Sequence, residues 1–209
     1  MKRMVGFGLL ISGVALIGYA AFQIHWHHAS AEKALAIAEE MITTQKESDQ
    51  AESESVGELY KTGALRYQVD DVIGILSIPA LEETYPIIEG TDEEMLMKGV
   101  GHYATTALPG GNEQILLSGH KGTVFQRLGE LQPGDRFIVD MGYGSYEYEM
   151  RESEIVAADD TTVITPRGEE VLTNLDALAP KPWLGAAPPS LAPVIVGPPP
   201  QWLAVDRPG

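Results

Sequence analysis

The chain has 209 residues, 44% of them apolar, with 30 Asp and Glu against 14 Lys and Arg and a formal charge of -16. That length holds one ordinary domain plus appendages, and the acidic excess excludes a nucleic-acid partner, because phosphate backbones are bound by clustered Lys and Arg. Cysteine is absent, which excludes disulfides, thiolate metal sites and a thiol nucleophile.

Lys2 and Arg3 lead into an uncharged apolar run from Met4 to Ile24, matching the ~20 residues a helix needs to cross a bilayer. The spacing predicts a transmembrane helix within a membrane anchor over 1–28. No Lys or Arg follows until Lys33, so the positive-inside bias puts the N-terminus in the cytoplasm and the rest outside. Ala29, Ser30 and Ala31 could form a cleavage site, but the apolar run exceeds the ~7–15 residues of a signal-peptide core. His25, His27 and His28 read as interfacial polar residues, with no scaffold to make them a metal set. Residues 29–69 form an acidic stalk. Leu35, Ile37, Ala38, Met41 and Ile42 have helical spacing, and the stretch from Glu47 to Glu58 reads as a solvated tether. It has no spaced Asp/Asn loop with a central glycine for calcium.

The folded domain is expected over 70–173. Val72 to Ile78 is a β-rich run closed by Pro79, and Glu83 to Glu89 is a second strand after a brief turn. Thr91, Asp92, Glu93 and Glu94 fit a capping box for a short helix through Lys98, with Gly99 as its left-handed exit. A long loop over Gly101–Gly111 follows, then the strand Ile115–Leu117. Arg136 to Asp140 and the alternating Tyr146, Tyr148 and Met150 pair across a hairpin at Gly142–Ser145, with Glu154 to Val156 continuing the sheet. Another strand begins at Glu170.

Strand Ile115–Leu117 delivers His120 between Gly119 and Gly122. A histidine at a strand end can act as a general acid or base if a nucleophile faces it. A structural loop histidine is the competing reading, and the residues themselves leave the two open.

In this order the chain resembles the sortases, membrane-anchored cysteine transpeptidases of mainly Gram-positive bacteria, and most nearly those of class D. The resemblance rests on Ile73–Pro79, Pro86–Thr91, Lys98–Tyr103, Thr106–Gly110, Ser118-Gly119-His120 and Leu128–Leu131. It implies a closed eight-stranded β-barrel with short helices and a catalytic histidine, cysteine and arginine. His120 is the one of the three that carries over. The implied partners are a sorting-signal peptide of surface proteins or pilins and an amino acceptor of peptidoglycan or a pilin, with no cofactor. His102 stands in a recurrent family segment and reads as a packing residue. Lys121-Gly122 replaces the Arg-Asp pair that follows the histidine in the class D pattern.

The resemblance stops after Thr173. A Thr-Cys-Tyr-Pro-like segment and an arginine strand should follow, yet Asn174 to Trp183 holds neither, and nine of the 14 prolines fall within 174–209. Those prolines predict that the last two barrel strands are missing or disrupted and that 174–209 is an aberrant Pro-rich tail. Arg207 lies there and takes no catalytic role. Ser118, next but one to His120 on the same strand, is a poor substitute nucleophile. The chain reads as catalytically dead as written, through a reading-frame change, a degenerate gene copy, or descent to a membrane-tethered peptide-binding pseudoenzyme. A β-barrel scaffold of another family is the remaining reading.

Overall fold

The computed structural model describes residues 2–47, 55, 57–60, 62–64, 66–120, 124–125, 127–153, 164–165, 168–177 and 194–197; at 2–10, 21, 23–28, 45–47, 175–177 and 194–197 only the backbone path is described. The expected strand Glu154–Val156, the Lys121-Gly122 pair, Arg207 and most of 174–209 lie outside the described residues, as do the side chains of His25, His27 and His28.

Eight strands close into a barrel in the order β1-β2-β3-β4-β7-β8-β6-β5. They are β1 (Val72–Ile78), β2 (Glu83–Glu89), β3 (Val100–His102), β4 (Gln114–His120), β5 (Arg136–Met141), β6 (Gly144–Ser153), β7 (Val171–Ala177) and β8 (Val194–Gly197). Among the described residues α1 (Lys2–Glu47) and α2 (Glu93–Lys98) accompany them, with further helical backbone at 55 and 57–60. Closure leaves no long edge to pair with another chain. The interior is filled by Ile73, Leu76 and Ile78 from β1, Ile115 and Leu117 from β4, Phe137 and Val139 from β5, Tyr148 and Met150 from β6, and Leu172 from β7. Each fully buried side chain of that size stabilises by ~1.5–3 kcal/mol relative to exposure.

The C-terminal strands correct the expectation that the barrel breaks off at Thr173. β7 runs on to Ala177, pairing in parallel with β4 along its whole length, and β8 pairs antiparallel with both β7 and β6. The prolines flank β8 instead of interrupting it: Val194–Gly197 fits between Pro193 and Pro198, so no ladder N–H is lost inside the strand. The seam has a flaw at Asn174, 0% exposed, whose amide nitrogen and oxygen both lack a hydrogen-bond partner.

Three local readings also change. β3 falls within the segment expected to be loop, and its three residues pair in parallel with β2. Asp92, not Thr91, is the N-cap of α2, without a side-chain cap bond. Gly99 has extended backbone at φ 172°; it must be glycine because a β-carbon would stand 2.3 Å from the Pro86 carbonyl oxygen.

The expected stalk is a docked helix over its first half. α1 runs unbroken to Glu47, and its Ala34 and Ala38 are buried, Ala34 against Ile88 and Met95 with Val72 packed beside them. Among the described residues no helix is long and apolar enough to cross a membrane; within the run Met4–Ile24 only the backbone path is described at 4–10, 21, 23 and 24.

Candidate active site

His120 is the last residue of β4 and half-buried. Ile115 and Leu117 face the barrel core, so alternation puts His120 on the opposite face, at the barrel mouth, with Leu116 and Ser118. Two contacts fix the turn beyond it. The Val124 N–H donates to the His120 carbonyl at 3.0 Å. The Phe125 ring occupies the space a β-carbon on Gly119 would need, 2.3 Å from that position. Glycine before the histidine is therefore a packing requirement.

Phe125 meets Tyr85 edge-on, with ring centres 6.3 Å apart. The Tyr85 hydroxyl donates to the Val124 carbonyl at 2.5 Å and also contacts the Glu83 carboxylate. Burial first, and then the Glu83 carboxylate, hold this phenol protonated well above the usual range. Arg127 makes a two-pronged bond to Glu130, at 3.0 and 2.8 Å, and donates to the Leu81 carbonyl at 2.9 Å. Its guanidinium holds the Glu130 carboxyl below the ordinary value. Arg127 is thus a clamp on the mouth's rim, engaged by Glu130, Leu81 and Glu83.

The parallel register of β4 with β7 decides what stands beside His120. Gln114 pairs with Val171, Leu117 with Asn174, and His120 with Ala177. The neighbour at the strand end is an alanine. Ser118 is buried and precedes His120 by two residues on the same strand.

His102 is not part of this mouth. It is buried beside Glu89, with Nδ1 2.7 Å from the carboxylate and Nε2 3.0 Å from the Ala107 carbonyl. A carbonyl can only accept, so Nε2 carries a proton and ties β3 to the loop before β4. A cavity of about 360 Å³ lies over this pair, lined by Tyr60, Arg66, Tyr67 and Ala107 among others. Among the described residues no three acidic or histidine side chains converge to hold a metal.

Sequence reasoning picked out His120 and missed the Glu83–Tyr85–Arg127 group. Those contacts join residues 39 to 46 positions apart, and no local pattern announces them.

Residues 76–175 match the sortase domain family. The chain is 34% identical to sortase D of Bacillus subtilis (strain 168) over 195 residues, covering 90% of this chain and 94% of that one. The catalytic domain of B. anthracis SrtD is 31% identical and superposes with a TM-score of 0.52, covering 65% of this chain and 92% of that one. Clostridium perfringens sortase C, solved with its C-terminal cell wall sorting motif, is 20% identical and superposes at 0.62 over 78% of this chain and 97% of that one; it speaks for the fold alone. The chain belongs to the sortase family. Within that family its likeness is to class D.

Proposed function

We propose that this chain is an extracytoplasmic, membrane-anchored sortase-lineage protein that has lost its catalytic step. The lineage activity is cleavage of a sorting-signal peptide of a surface protein or pilin and transfer of its acyl group. A thiolate attacks the peptide carbonyl, the leaving amine takes a proton from the histidine, and the resulting thioester is resolved by an amine that the histidine deprotonates. Water in place of that amine gives hydrolysis. The acceptor amine would come from peptidoglycan or a pilin, and no cofactor enters.

His120 fits the acid–base role by its position at the mouth. The observation that carries the proposal is the absence of cysteine from the whole sequence; in the strand register the residue paired with His120 is Ala177, a residue type with no nucleophilic group. Membrane anchoring is supported by Ile11, Val14, Leu16, Ile17, Tyr19 and Phe22, all exposed. At 100° per residue they project around the whole circumference of α1, as on a helix meant for lipid. Lys2 and Arg3 put its N-terminus in the cytoplasm.

Incubating the full chain in detergent with sorting-signal peptides and an amine tests this. Intact-mass measurement should show no acyl adduct and chromatography no cleaved peptide; an adduct on any residue contradicts the proposal. A second reading, a peptide-holding pseudoenzyme, is favoured by closure of the barrel despite the missing thiol. Saturable binding of the same peptides without cleavage is its expected result, and no binding removes it.

A further inference from the structure

The two mouths of the barrel differ in a way that the acyl-transfer reading does not use. The register sorts the ends of the strands. His120, Ala177, Glu83 and Ile78 lie at one mouth, and Gln114, Val171, Glu89, Val72 and Gly144 at the other. Along β4 the two ends are separated by about 20 Å.

Among the described residues N-terminal to the barrel, Ala34, Gly57, Tyr60, Val69 and Asp70 meet it at the mouth remote from His120. Ala34, the first buried residue among those described in α1, packs on Ile88 and Met95 beside Val72, so the helix reaches the barrel at that end. Gly57 lies so close to Tyr143, in the β5–β6 turn, that a β-carbon would come within 2.8 Å of its side chain. Tyr60 stacks on Tyr67 at 4.1 Å and on Tyr143 at 6.1 Å. Val69 sits against Gly90, and the Asp70 N–H donates to the Glu89 carbonyl at 2.9 Å.

The exposed apolar surface follows the same division. Among the described residues every exposed large apolar side chain precedes residue 70. Beyond the turns of α1 already named, these are Ile37, Leu59 at 47% and Val69 at 60% exposure. Arg66, exposed and between these two in the sequence, lines the 360 Å³ cavity together with Tyr60 and Tyr67. Apolar side chains interspersed with a cation are the chemistry of a surface that meets phospholipid headgroups.

We propose that the barrel stands on the bilayer by the mouth remote from His120, with Leu59, Arg66 and Val69 at the headgroups, so that the His120 mouth opens away from the membrane. This rests on the anchor reading. Between Ile24, the last residue of the apolar run, and Ala34, α1 rises about 15 Å. With the length of β4 added, that holds the His120 mouth a few tens of ångströms clear of the lipid. A peptide or acceptor would then approach from the cell-wall side.

The chain contains no cysteine, so a single introduced thiol gives one unambiguous label. Full-length Gln68→Cys and Gln132→Cys variants, each carrying an environment-sensitive fluorophore, are reconstituted in phosphatidylcholine–phosphatidylglycerol vesicles with nitroxide-bearing headgroups. The label at 68 should be quenched several-fold more than the label at 132. Leu59→Glu with Val69→Glu should reduce that difference while the chain still floats with the vesicles. Flotation with equal quenching, or with stronger quenching at 132, overturns the orientation and leaves the anchor standing. Failure to float overturns the anchor reading and the orientation with it.

Discussion

Gly119 has no room for a β-carbon because Phe125 fills the space, and that contact also sets the turn that holds His120. Gly119→Ala should therefore cost about 1–3 kcal/mol through overpacking, read as a lower urea midpoint. Asn174 presents the opposite case. Its amide is buried with neither atom partnered, and a buried unsatisfied polar group costs ~1–3 kcal/mol. Asn174→Leu should raise the urea midpoint by an amount of that order; a fall would mean that the amide is satisfied in solution. Part of this was legible beforehand: Thr173 marks where the family pattern ends, and the misfit side chain is the next residue. The reason for Gly119 was not legible, because Phe125 reaches it only through the folded turn. His102, read from its segment as a packing residue, lies in the buried Glu89 pair. His102→Ala would leave that carboxylate without its partner and should cost about 3 kcal/mol or more.

At the level of elements, β1, β2, β4, β5 and the β5–β6 hairpin were readable because apolar periodicity, Pro79 and the Gly142–Tyr143 turn all agree with the final pairing. β3 was not, since three residues with two partner strands gain their state from neighbours rather than from propensity. The prolines of the C-terminal stretch misled for a different reason: their count argues against strands, while their spacing leaves a gap just long enough for β8. That strand is the last stave of the barrel, so Val196→Pro, which removes a ladder donor between β6 and β7, should open the wall. A loss of about 3 kcal/mol or more is expected, with increased binding of a hydrophobic dye. An unchanged melt would show that β8 contributes nothing to closure. Ala38, fully buried on α1, makes the helix part of the domain, a role that its stalk-like composition did not announce.

The molecule as a whole is a sortase-family barrel with His120 at one mouth and no cysteine in its sequence; on the proposed reading His120 is its acid–base residue and the nucleophile has been lost. Its architecture separates a mouth that meets the N-terminal segment from a mouth bearing His120; on the proposed orientation the first faces lipid and the second faces outward. If that seat is intact, restoring a thiol on the facing strand end should restore the pair's chemistry even without the rest of the family's machinery. An imidazolium beside a thiol lowers its pKa and raises the thiolate fraction below the usual ~8.5. The direct measurement is the rate of iodoacetamide alkylation of Ala177→Cys, compared with Ala177→Cys/His120→Ala, across pH 5.5 to 8.5. The single variant should react about tenfold faster near pH 6.5, for one unit of pKa lowering, with the advantage shrinking to about twofold as pH approaches 8.5. Superimposable profiles for the two proteins would contradict the pairing of His120 with position 177, and with it the account of what this chain has lost.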